Sequence, residues 1–99
     1  MKSMQISIMS KPEKEEQFYS IAETLAEILT AKNKAYGDSF GISVRKYGLT
    51  ASLTRISDKF NRLESLILND TKGDSLEDTL MDMAGYCVLT LLEIQEGDE

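Results

Sequence analysis

Three groups of side chains have types and spacings that suit chemistry. Asp78 and Asp82, four apart, project from one helical face about one turn from each other, near enough to share a hard cation such as Mg²⁺ through oxygen, with Glu77 beside them. Acids are also favoured in a helix's first turn by its macrodipole, which accounts for Glu77 and Asp78 but not for Asp82 further in. Pairing of these acids with Arg55 or Arg62 is the structural alternative. In the second group, Arg55, Asp58, Lys59 and Arg62 fall on adjoining ridges of one helix. Arg offers a planar fork and Lys a point charge to a phosphate, although a solvated, salt-bridged face has the same pattern. The third is Lys32-Asn33-Lys34-Ala35-Tyr36-Gly37-Asp38-Ser39-Phe40, in which Asn33 and Tyr36 suit hydrogen bonding and stacking on a base, or equally a cap and a core aromatic. Lys32 continues the stripe of Leu25, Ile28 and Leu29, so it either meets a ligand or snorkels to water.

Composition narrows what these groups can do. The 99 residues include no His and one Cys, which removes Ser-His and Cys-His catalysis, intrachain disulfides and Cys/His zinc sites. Cys87, among Leu80, Met83 and Leu91, reads as a small core residue. The net charge of −6 is uneven: residues 1–50 hold seven basic and six acidic groups, residues 51–99 four basic and eleven acidic. Such a domain repels a phosphate backbone, so no tight nucleic-acid binding is expected, whereas a small anionic ligand needs a metal bridge or a local cationic cluster. No apolar run is long enough for a membrane span, and the N-terminus lacks a secretory pattern, so a cytoplasmic chain without membrane partners is expected.

The elements that position these groups are helical. Ser10-Lys11-Pro12-Glu13 has the form of a capping box, and Phe18, Ile21, Ala22, Leu25, Ile28 and Leu29 recur at threes and fours, which predicts a helix over about 11–34. Gly37 suits a left-handed terminus, and residues 39–47 form a short helix or ordered loop. Leu49, Leu53, Ile56, Phe60, Leu63 and Ile67 alternate steps of four and three, the seam of a bundled helix over about 49–68. Residues 69–74 read as a turn, and Ser75-Leu76-Glu77-Asp78 opens a third long helix to about Glu96. That helix is apolar nearly all round except for a strip holding Asp78, Asp82 and Glu93, with Tyr86 and Leu89 close by; acids in such surroundings need a compensating partner. Gln5-Ile6-Ser7-Ile8 alternates briefly, as a frayed arm or an edge strand. The expected fold is all-α, with residues 1–10 a flexible arm and 11–99 a single helical domain. A chain this short gains from completing its bundle by homo-oligomerisation.

Taken together, KNKAYGDSF at 32–40, RISDKFNRLESL at 55–66 and SLEDTLMDMAGYCVL at 75–89 resemble the nucleotide modification associated domain 1 family of phages and bacteria. The family's helical layout is similar to that of the MazG-like proteins and dimeric dUTPases, which hold Mg²⁺ on helix-borne carboxylates and hydrolyse the bond between α and β phosphates. The resemblance implies a nucleotide or nucleotide-derived ligand held by Lys32, Asn33, Tyr36, Gly37, Asp38, Arg55, Lys59, Arg62 and Tyr86. It also implies Mg²⁺ on Asp58, Glu77, Asp78 and Asp82, of which Asp58, Glu77 and Asp82 would act in pyrophosphohydrolysis. There are departures: the pyrophosphohydrolases pair E-x-x-E with E-x-x-D, whereas Glu23/Glu27 and Asp78/Asp82 are each four apart, and Ala35 stands where an acid is expected. Two further readings are a non-catalytic phage protein that sequesters a nucleotide or cyclic nucleotide signal, and a structural or interaction module.

Overall fold

The computed structural model describes residues 6–69 and 75–97, with side chains described from Glu13 and, in the last helix, from Leu76. Four α-helices account for them: α1 (Ile6–Tyr36), α2 (Ser39–Tyr47), α3 (Thr50–Leu68) and α4 (Ser75–Gly97). The all-α expectation holds, and none of the described helices is long and apolar enough to cross a membrane. The proposed turn at 69–74 lies outside the described residues beyond Asn69, as does Gln5; Ile6, Ser7 and Ile8 are helical, so they form no strand. The first helix also begins ahead of the Ser10 capping box and carries Pro12 inside it. A proline removes one N–H from the ladder without dictating where the helix starts.

The chain divides into two compact units, residues 1–34 and 35–99. In the first, the predicted stripe of α1 is only partly covered: Leu25, Ile28 and Leu29 are half-buried, while Phe18 and Ile21 are exposed. In the second unit, two glycines set the corners. Gly37, at φ +71°, ends α1, and Gly48, at φ +79°, ends α2 while its N–H bonds the Val44 carbonyl at 2.7 Å. The short helix α2 packs on α3 and α4, and those two pack on each other. As the chain rises through Ser52, Lys59 and Arg62 of α3, their partners on α4 descend through Thr90, Asp82 and Thr79, so the pair is antiparallel.

The contact face of α3 corrects the predicted seam. Ile56 and Leu63 are half-buried, but Leu53, Phe60 and Ile67 are exposed, and it is Ser52, at 3% exposure, and Lys59 that meet α4. The α4 side matches: Thr79, at 2%, is buried, while Leu80, Leu91 and Cys87 face outward. Cys87 is therefore not a core residue. Hydroxyls and ion pairs tolerate burial between these helices because each finds its complement across the gap.

Candidate functional site

The site is built where α2 crosses the α3–α4 pair. Asp38 precedes α2 but makes no side-chain cap; its carboxylate instead accepts from Arg45 of α2, Nη2 to Oδ2 at 2.6 Å, seven residues further along the chain. Arg45 Nη1 also donates to both oxygens of Glu93 on α4, at 3.0 and 3.2 Å. The Glu93 side chain is nine-tenths buried and the guanidinium half exposed. Hydrogen bonding to Asp38 raises the already high pKa of Arg45, opposed by desolvation and assisted by the charges of Glu93 and Asp38. The two carboxylates converge over Gly41, where a Cβ would stand 2.6 Å from Glu93 Oε2 and crowd Asp38 Oδ1 as well. Next to Gly41, the ring of Phe40 lies 5.5 Å from that of Tyr86 at 36°, a second tie between α2 and α4.

Farther along the α3–α4 pair, Lys59 Nζ donates to Asp82 Oδ2 at 3.1 Å, both side chains about a quarter exposed. Arg62 Nε donates to the buried Thr79 hydroxyl at 3.3 Å. The strip of acids on α4 is thus compensated as its surroundings require, by Lys59 for Asp82 and Arg45 for Glu93. Because water still reaches the Lys59–Asp82 pair, Lys59→Ala is expected to cost only about 1 kcal/mol in urea unfolding. A loss of several kcal/mol would show that the pair is effectively dry.

Between α2 and α3, a groove of about 570 Å³ opens among Ser43, Tyr47, Thr50, Ala51, Thr54, Arg55 and Asp58. Arg55 makes no ion pair or hydrogen bond among the described residues, and both it and Asp58 are exposed. Thr54 donates its hydroxyl to the Thr50 carbonyl at 3.0 Å. Tyr47, two-thirds exposed, lies beneath Lys46 Nζ at 5.5 Å from its ring centre.

The predicted residues therefore fall into separate places. Arg55 and Asp58 share the groove; Lys59 and Asp82 are joined to each other; Arg62 lies on Thr79, and Tyr86 lies on Phe40. Asp38 belongs to the Arg45 cluster and Gly37 to the preceding corner. Tyr36 is exposed, as are Lys32 and Asn33, which lie on α1 in the first unit. Of the acids proposed for Mg²⁺, Asp58, Glu77 and Asp78 are exposed and Asp82 is engaged by Lys59. Among the described residues, no three acidic or cysteine side chains lie close enough together to form a metal-holding cluster. Arg45, Gly41 and Tyr47 were not among the predicted residues. The signal for Arg45 was the pattern of Asp38 and Arg45 two helical turns apart, with Glu93 an unpaired acid on an apolar helix.

No curated protein and no solved structure matches the chain. A family model does, over residues 32–94, which takes in α2, α3 and most of α4 and well over half of the sequence. On that match the chain belongs to the nucleotide modification associated domain 1 family.

Proposed function

We infer that the chain is a nucleotide-binding domain of phage or bacterial nucleotide metabolism, holding a phosphate-bearing nucleotide or nucleotide-derived molecule in the groove between α2 and α3 without turning it over. The observation that carries this reading is Arg55, a cation with no partner among the described residues, standing in a cleft of ligand size beside three hydroxyl side chains and a tyrosine. Arg55 would take a phosphate through its planar fork; Ser43 and Thr50 suit sugar or phosphate oxygens; Tyr47 offers a face for a base. Asp58 suits a donor on the sugar or the base. Lys59 and Arg45, by contrast, are already neutralised by acids. Binding without hydrolysis is favoured over the magnesium-dependent pyrophosphohydrolase reading because, among the described residues, no three acids come together as that reaction's carboxylate set would.

The test is a melting screen of nucleoside mono-, di- and triphosphates and cyclic dinucleotides, each with Mg²⁺ and with chelator, followed by calorimetry and chromatography of any hit. A ligand at about 100 times its Kd should raise Tm by roughly 10 °C or more. That rise should persist in chelator, with the ligand recovered intact. Arg55→Ala should weaken binding about 10- to 100-fold, the value of one charge-assisted phosphate contact. Release of pyrophosphate would overturn binding without turnover, and unchanged affinity in Arg55→Ala would remove the groove.

A further inference from the structure

The groove between α2 and α3 carries one charge of each sign, and neither is paired. Arg55 and Asp58 stand on the α3 wall three residues apart, so their side chains leave the helix as neighbours, with Cβ atoms about 5–6 Å from one another. Both are exposed, and neither makes an ion pair or a hydrogen bond among the described residues. On the facing wall, Ser43 and Tyr47 come from successive turns of α2. Lys46 sits over the Tyr47 ring and does not line the groove. Arg55 is therefore the one positive charge among the lining residues, and Asp58 balances it. Thr54, one turn before Asp58, has already given its hydroxyl proton to the Thr50 carbonyl at 3.0 Å, so toward the groove it only accepts. Thr54 and Asp58 together make one end of the groove an acceptor end.

We propose that this groove selects a ribonucleoside bearing a single phosphate, with Arg55 on the phosphate and Asp58 on the 2′- and 3′-hydroxyls of the sugar. The proposal rests on the nucleotide-binding reading of the same groove and narrows it. One phosphate brings about −1.5 to −2 charges at neutral pH, which a single guanidinium takes through its planar fork. Further phosphates meet no second cation in the lining; they meet Asp58 and a chain of net charge −6. An acceptor end beside the phosphate position calls for a neutral group rich in donors. The vicinal hydroxyls of ribose are such a group, because each can donate to one oxygen of a carboxylate and both lie close to the 5′-phosphate of their own nucleotide. A deoxyribose offers one of these donors fewer. The base leaves the sugar on another side and falls to Tyr47 on the opposite wall.

Calorimetry on the intact chain tests it with the ribonucleoside 5′-monophosphates, their 2′-deoxy counterparts and the corresponding triphosphates, each in Mg²⁺ and in chelator. At least one ribonucleoside monophosphate is expected to bind about 10-fold tighter than its 2′-deoxy form and about 10-fold tighter than its triphosphate, in both conditions. Asp58 is exposed on a helix that alanine favours, so Asp58→Ala should fold. That variant should move two ligands in opposite directions. The ribonucleoside monophosphate weakens about 10-fold with the loss of its hydroxyl acceptor, while the deoxynucleoside triphosphate, relieved of a like charge, binds roughly 3-fold tighter. A substitution that only disturbed the helix would weaken both, and that result overturns the proposal. So does equal affinity for the ribose and deoxyribose forms, or a triphosphate that binds as tightly as the monophosphate. If such ligands still lose affinity in Arg55→Ala, the groove remains a nucleotide site and its selectivity alone has been misread. If no nucleotide binds, or Arg55→Ala changes nothing, the nucleotide reading of the groove and the proposal fall together.

Discussion

Gly41→Ala is expected to lower stability by about 1–3 kcal/mol, the usual cost of forcing an extra carbon into filled space. The sign makes the result informative. Alanine is the better helix former by about 1 kcal/mol, so the same substitution at an open helical position stabilises. At Gly41 the space for a methyl group is occupied by Glu93 Oε2 and Asp38 Oδ1, whose carboxylates are held by Arg45, Asp38 through its other oxygen. To make room, a carboxylate must leave the guanidinium, and Glu93 has little freedom because its side chain is nine-tenths buried. For a chain of this size the loss corresponds to a Tm lower by roughly 4–20 °C. Thermal and urea unfolding of the variant check it, and a Tm at or above wild type would mean that the carboxylates are not fixed over Gly41. The cation of the cluster is not its pH-sensitive member. A raised folded-state pKa gives stability that is complete below the unfolded value, and for Arg45 that value already lies beyond any working pH, so alkaline titration should leave this cluster intact up to that range.

The helices were legible because their punctuation is local. Steps of three and four mark α1, α3 and α4, and Gly37, free to take positive φ, marks the first corner, so the boundaries of α3 and α4 fall within a residue or two of expectation. Which face of a helix is covered is a different kind of information. Leu53, Phe60 and Ile67 spell a seam, yet among the described residues they stay exposed, whereas the side of α3 applied to α4 carries Ser52 and Lys59 beside Ile56 and Leu63. That choice depends on cross-matching Ser52 with Thr90 and Lys59 with Asp82, residues 38 and 23 apart, and no local pattern encodes such a pairing. The candidate site divides in the same way. Arg55 and Asp58 were visible because two charged residues at helical spacing stand out on their own. Arg45 was not, because its significance comes from Glu93, 48 residues away, and from the absence of a side chain at Gly41.

The same close fit predicts that Ser52→Leu is the more damaging change, at about 3 kcal/mol or more, enough to remove a large part of the stability of a domain this small. Ser52 is 3% exposed at the crossing of α3 and α4, and its hydroxyl bonds that of Thr90 at 2.9 Å. Thr90 in turn donates to the Tyr86 carbonyl at 2.7 Å, so the group Ser52 meets is already anchored to its own helix. A small residue here lets the two helices come close enough for Lys59 to reach Asp82 and Arg62 to reach Thr79. Leucine adds three carbons at a position already closed to solvent and removes the bond between Ser52 and the half-buried Thr90 hydroxyl. Ser52→Ala separates the two effects: it keeps the spacing and removes only the hydroxyl, and should cost about 1 kcal/mol. Urea unfolding of both variants, with circular dichroism as the readout, distinguishes the cases. If Leu and Ala cost the same, the hydroxyl bond is what matters at this crossing. If Leu alone is severe, the spacing of α3 and α4 is what carries the fold, and the ion pairs along the crossing exist because a serine allows the helices to meet.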